Sequence, residues 1–370
     1  MRVVMFYHSL VSDWNHGNAH FLRGVVGELL HRGHDVRVLE PRDGWSRSNL
    51  MVQYGRSVIN GFYRAYPGLH SDLYALDTLD IDDVLRGADL VIVHEWNEPA
   101  LIAKVGSHHR QHASYLLLFH DTHHRSATDP AAVDRFDLRA YDGVLAFGDC
   151  VRDWYLDRGR IPRAWTWHEA ADDRVFYPRR PTGSPQGDVV WIGNWGDEER
   201  SAELTEFLIH PIKELGLKAT FYGVRYPASA IDQLKRDGIR YGGWLPNYDV
   251  PAVFAQHRIT VHVPRRPYLE ALPGVPTIRP FEALACGIPL ISARWSDTTG
   301  LFSPDQDFLV ANDGAEMIEH LRTLITNPTR RSELVTHGLT TIRQRHTCAH
   351  RVDELFGICT DLRGQLLGCA

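Results

Sequence analysis

Pro273-Gly274-Val275-Pro276-Thr277-Ile278-Arg279-Pro280-Phe281-Glu282-Ala283-Leu284-Ala285-Cys286-Gly287-Ile288-Pro289-Leu290 reads as a turn, a short helix and the start of a strand. Pro280 suits the first turn of a helix, where its missing N–H would have had no intrahelical partner. Gly287 closes the helix, and the chain then feeds a strand at Leu290. The turn from Gly274 to Ile278, with Thr277 at the helix entry, gathers backbone N–H groups at the same point. Unpaired N–H groups and the positive end of the helix dipole form an anion site fit for a diphosphate, and Arg279 adds a planar fork of donors. One turn further in, Glu282 is placed to accept hydrogen bonds from two neighbouring hydroxyls such as those of a ribose.

Outward from this stretch, short apolar runs alternate with helical patterns. Val189 to Gly193, Ala219 to Gly223, Ile259 to His262 and Pro289 to Ser292 are strand candidates, with helical patterns near 198–215, 281–286, 315–326 and 330–344. The N-terminal half repeats the theme. Val3 to Tyr7, Asp35 to Leu39, Leu90 to Val93, Tyr115 to Phe119 and Val144 to Phe147 read as strands, and Phe21, Leu22, Val25, Val26, Leu29 and Leu30 recur at helical spacing up to Gly33. Such alternation indicates βαβ units and parallel sheets covered on both faces. Between the halves, Tyr177 to Asp188 carries three prolines, two glycines and no apolar periodicity, the composition of a linker. Two doubly wound Rossmann-like domains with an interdomain cleft are expected. Their bounds fall at 1–178 and 179–345, with 346–370 a helix packing back toward the N-terminal domain.

At 370 residues, two domains fit the length. The net charge of −6 and the lack of a long basic run argue against general nucleic-acid binding. Five scattered cysteines without a C-x-x-C pair suggest neither a disulfide framework nor a thiolate zinc site. The N-terminus is apolar too briefly for a signal peptide, and no run approaches the length of a membrane helix, so the cytoplasm is the expected compartment. Dinucleotide, P-loop, zincin and nucleophile-elbow motifs do not occur. Asp80-Ile81-Asp82 has the D-x-D form of metal-dependent sugar transferases, but it opens a solvated helix, and no metal is expected.

Two polar clusters stand at strand ends. Phe119-His120-Asp121-Thr122-His123-His124-Arg125 lies just beyond a strand, where open α/β sheets place ligand groups. His94-Glu95-Trp96-Asn97-Glu98 ends another strand on the same edge. Its aromatic and carboxylate groups suit ring faces and hydroxyls of a sugar, so Glu95 and Trp96, with His123 and His124, are candidates for an acceptor wall.

The stretch at 273–290 resembles the donor-binding signature of GT-B glycosyltransferases of the group 1, GT4-like kind, in which E-A-x-A-x-G-x-P follows a glycine-containing turn. Arg345-His346-Thr347-Cys348-Ala349-His350-Arg351 looks like the closing segment of the CgeB-like branch. Asn15-His16-Gly17-Asn18-Ala19-His20 and Asp172-Asp173-Arg174-Val175-Phe176-Tyr177-Pro178 are similar to the superfamily's opening and domain crossover. The resemblance implies a GT-B fold and a metal-independent, retaining transfer from a nucleotide diphosphate sugar, UDP before GDP, to an acceptor hydroxyl, with no cofactor. It implies that His120 meets the donor sugar or reacting centre, and that His16 and Gly17 face the acceptor. Arg200, after the turn Gly193-Asn194-Trp195-Gly196, would hold phosphate, and Trp244 and Leu245 the nucleobase. One departure stands out: the first Glu of the usual signature falls on Gly274, with Glu270 the nearest substitute. A sugar-nucleotide epimerase of the same fold, or a non-catalytic nucleotide-sugar or glycan binder, is the alternative. The protein is expected as a monomer or homodimer.

Overall fold

The computed structural model describes residues 1–112, 114–181, 183 and 186–368, the last four of these by their backbone alone. The chain divides into two compact units, Met1–Glu169 with Cys348–Ala370, and Ala170–Thr347.

The first unit is built on seven parallel strands: β1 (Arg2–Phe6), β2 (Asp35–Pro41), β3 (Asp72–Tyr74), β4 (Leu90–His94), β5 (Leu116–Asp121), β6 (Gly143–Ala146) and β7 (Ala164–Thr166), in the order 3-2-1-4-5-6-7. All of β4 and β5 is buried, which is why their sequences read as unbroken apolar runs. Helix Ala19–His31 buries Phe21, Leu22, Val25, Val26 and Leu29, and Gly33 just past its end takes φ +81°.

The second unit has six parallel strands: β8 (Gly187–Ile192), β9 (Ala219–Tyr222), β10 (Arg240–Tyr241), β11 (His257–His262), β12 (Leu290–Ala293) and β13 (Leu309–Ala311), in the order 10-9-8-11-12-13. Its core joins Val189, Trp191, Phe221, Ile259, Val261 and Ile291 from the sheet to Leu208, Met317 and Leu321 from helices. In both sheets the strand order reverses beside the first strand, and the crevice outside the strand C-termini at that point is where such folds bind ligands. Each sheet is doubly wound, of the Rossmann-like kind expected from the sequence.

The unit boundary differs from the expected one. It lies at Glu169/Ala170, and the proline-rich stretch belongs wholly to the second unit, ahead of β8. Thr182, Ser184 and Pro185 of that stretch lie outside the described residues. Composition marked irregular backbone there, whereas ownership is set by burial: Ala170, Ala171 and Phe176 are fully enclosed, and the Ala171 N–H donates to His346 O at 2.9 Å. The second change of unit falls at Thr347/Cys348 instead of 345/346. Helix Cys348–Gly368 lies in the first unit, where the Arg32 guanidinium donates to Asp353 Oδ1 at 2.6 Å and Ala349 O at 3.1 Å. Cys369 and Ala370 lie outside the described residues, and no disulfide links the cysteines within them. No described helix is long and apolar enough to cross a membrane.

Candidate functional site

At the switch point of the second sheet, Gly193-Asn194 leave β8 and His262-Val263 leave β11. Arg200 lies across them, donating to Val263 O at 3.0 Å and to Asn194 O, with its guanidinium over the Trp191 ring at 5.2 Å. No carboxylate pairs with it among the described residues. Burial, followed by the field of Arg265, pushes its pKa down to about 10. Arg265 itself is held by Glu199 at 2.8 Å. Close approach of the neighbouring turns depends on glycine: a Cβ on Gly223, at φ +152°, would sit 2.0 Å from Gly193 O.

The quoted helix runs Ile278–Cys286 with Thr277 at its N-cap and Gly287 left-handed at its end. Pro280 stands in the first turn, as its chemistry requires. The Thr277 hydroxyl does not cap the helix; it meets His262 Nε2 at 2.9 Å. His262 Nδ1 lies 2.9 Å from Ser292 Oγ, so the ring ties β11, β12 and the helix start together. Burial and then the charges of Arg200 and Arg279 hold His262 at a pKa of about 3, a neutral ring. The imidazole was missed in the sequence, although a histidine ending an apolar strand was a signal of it.

Glu282 is wholly buried, its carboxylate paired with Arg279 and accepting from Asn247 Nδ2 at 2.6 Å. The carboxylate expected to accept from ribose hydroxyls thus meets Arg279 and Asn247 within the chain itself. Gly274 also has a physical reason. It takes φ +82°, and a Cβ there would meet Thr298 Oγ1 at 2.1 Å, so a side chain at that position strains the turn. Trp244 and Leu245 are half-buried after β10, and Ile278 is buried.

In the first unit, the loop from His8 to Asn18 is held from below. The fully buried Arg23 donates to Leu10 O at 2.7 Å, Val11 O at 2.9 Å and Asp13 Oδ2 at 2.9 Å, while Glu40 accepts from the Leu10 and Val11 N–H groups. This sets His16, buried, and Gly17, exposed, at the entry of helix Ala19–His31. His8, His16, His94 and His120 follow one another edge to face, with ring centroids 5.1, 6.4 and 5.2 Å apart. Burial lowers all of their pKa values, to about 4 at His8 and about 3 at His120.

His120 does not stand beyond its strand. β5 continues through Asp121, paired on both sides by β4 and β6, and the ring is fully enclosed by Phe21, Trp167 and His94. The reacting-centre role expected of His120 thus falls on a ring packed among aromatic side chains. Asp121 accepts from Tyr155 OH at 2.7 Å. Glu95 is also buried, paired with Arg125 and accepting from the Thr122 hydroxyl at 3.2 Å, and burial raises its pKa against the pull of Arg125. Trp96 is exposed; Arg125 covers it at 4.4 Å and His123 meets it edge-on at 5.0 Å. His124 Nδ1 lies 2.7 Å from Thr128 Oγ1. Asp80 is a helix cap, accepting from the Asp83 N–H at 3.0 Å. Asp82, His108 and His112 form the one described cluster with metal-ligand spacing, away from both switch points.

Residues 200–357, a span that opens at Arg200 and includes Glu282, match the glycosyl transferase-like family. No curated protein matches the sequence. Among solved structures, the chain is similar to sucrose-phosphate synthase from Thermosynechococcus elongatus at 13% identity and TM-score 0.63, covering 100% of both chains. It is similar to Anabaena HepE in complex with UDP and glucose at 14% and 0.67, covering 98% of this chain and 100% of that one. T4 phage BGT in complex with UDP and Mn2+ gives 15% and 0.60, covering 98% and 100%. The family match covers residues 200–357, and the likeness to these solved structures, which spans nearly the whole chain, is one of fold, the GT-B fold.

Proposed function

We propose that the protein moves a sugar from a UDP-sugar, bound on the second unit, to an acceptor hydroxyl bound on the first, in the cytoplasm. The observation that carries this is Arg200: a guanidinium without a carboxylate partner among the described residues, at the switch point, beside Arg279 and a neutral His262. The chemical difficulty of the reaction is charge growing on the departing diphosphate. A preorganised guanidinium and the N–H groups of a helix start stabilise that charge without reorganising. The proposed transfer needs no divalent metal for this reason, and retention of configuration follows the group 1 resemblance. The CgeB-like branch is the finer reading, resting on residues 345–351. The neighbours solved with UDP support the choice of nucleotide.

The test is UDP binding by calorimetry and UDP release from UDP-sugars, each with and without EDTA. Arg200→Ala is expected to lower turnover on the order of a hundredfold, the usual loss on removing one donor to a developing anion. Loss of turnover in EDTA would refute the metal-free scheme, and unaltered turnover in the variant would refute the role of Arg200. A non-catalytic nucleotide-sugar binder is the second reading, favoured by Gly274, which stands where the usual signature has its first carboxylate. It predicts UDP binding without turnover. A sugar-nucleotide epimerase of the same fold would need its acid/base pair from the cluster His120 to His124, in which His120 is buried and His123 and His124 are half-buried.

A further inference from the structure

The first unit also holds a cavity of about 510 Å³ at the C-terminal ends of β1 to β4, within the range of small-molecule sites. Two tryptophans line it, Trp45 at 44% and Trp96 at 38% exposure. Both flank one imidazole: the His8 ring lies 6.5 Å from Trp45 and 5.6 Å from Trp96, tilted by 32° and 37°. Neither indole is loose. Trp45 rests edge-on against the buried Trp14 at 5.0 Å, and Trp96 is covered on one face by Arg125, itself tied to Glu95. Below them, Tyr74 OH donates to Asn97 Oδ1 at 3.0 Å and Asn97 Nδ2 to Phe6 O at 2.8 Å, so this part of the wall is fixed by satisfied polar groups.

The rim is charged and uneven. Asp43, Asp77 and Glu98 face a single cation, Arg42, and none of these has an ion-pair partner among the described residues. Fixed indoles take the C–H face of a sugar ring at little cost in side-chain order. Carboxylates accept from hydroxyls, and the neutral His8 ring both donates and accepts. An acidic rim disfavours phosphate by like-charge repulsion.

We infer that this cavity takes the acceptor as an uncharged pyranoside and selects against phosphorylated sugars and nucleic acid, an assignment that rests on the glycosyl-transfer reading above. The test uses the full chain with methyl α-D-glucopyranoside and maltose as uncharged probes and glucose 6-phosphate as the charged one. Binding is followed by tryptophan fluorescence and saturation-transfer NMR. The uncharged probes are expected to bind at least tenfold more tightly than glucose 6-phosphate. Trp45→Ala should weaken them at least tenfold, Trp45→Phe should retain most of the affinity, and UDP affinity should stay within twofold in both. Asp43→Asn with Asp77→Asn should narrow the gap between the probes. Equal or tighter binding of glucose 6-phosphate overturns the inference, as does unchanged glycoside binding in Trp45→Ala. Glycoside binding without UDP binding would keep the cavity assignment and remove the transferase reading; UDP binding without glycoside binding would do the reverse.

Discussion

Glu282 and Arg200 show how differently two charged residues of one motif region are used. The Glu282 carboxylate is enclosed and paired with Arg279 and Asn247, whereas Arg200 meets backbone carbonyls and the Trp191 ring. Breaking a buried ion pair by removing one partner strands the other charge, at a cost of about 3 kcal/mol or more. Glu282→Ala is accordingly expected to lower the stability of the second unit by about 3 kcal/mol in urea unfolding. Unchanged stability with lost UDP affinity would return the residue to a ligand role. The sequence disclosed that Arg279 and Glu282 belong near one helix start, since their spacing of three places them on one face. It did not disclose that they neutralise each other, because pairing depends on burial and on Asn247, which is distant in the chain.

Among the elements, long central strands were legible and short edge strands were not. β4, β5, β8 and β11 are buried in the sheet middle and therefore apolar, while β3, β7, β10 and β13 have two or three residues each and no pattern to read. His120 was misplaced for a related reason. Pairing with β4 through His120 and with β6 through Asp121 carries β5 two residues past its apolar run, and a polar strand end looks like a loop. Trp45, reached through a turn after β2, left no periodic trace. The turn at Gly274 makes a testable element. Gly274→Ala meets both left-handed strain and the Thr298 hydroxyl, and is expected to cost about 2 kcal/mol. Adding Thr298→Ala should recover the share due to contact and leave about 1 kcal/mol of backbone strain. No cost in the single variant, read from its urea midpoint, would show that the turn adapts.

Across the whole molecule, enclosed imidazoles dominate the pH response. His8, His120 and His262 have folded pKa values of about 4, 3 and 3, below the unfolded value near 6.5. A group with a depressed folded pKa gives stability that is present above its unfolded pKa and lost as pH falls toward the folded one. Each ring then contributes up to about 1.4 kcal/mol per pH unit. Glu95 acts in the opposite sense: its folded pKa is raised, so its contribution is present in acid and fades as pH rises. With imidazoles outnumbering it, stability should fall steeply from pH 6.5 to 5 in urea titrations, and a flat profile there would mean the rings are solvated.

Helix Cys348–Gly368 belongs to the unit that begins at Met1, and the chain leaves that unit at Glu169 only to return at Cys348. A nascent chain emerging from the ribosome therefore offers a complete second unit before the first has its last helix. The first unit, though it begins at the N-terminus, is then the later of the two to have all its residues. Until Cys348–Gly368 has been made, the face of helix Ala19–His31 that it covers, and the Arg32 and Trp167 donors that meet it, stay open to water and to chaperones.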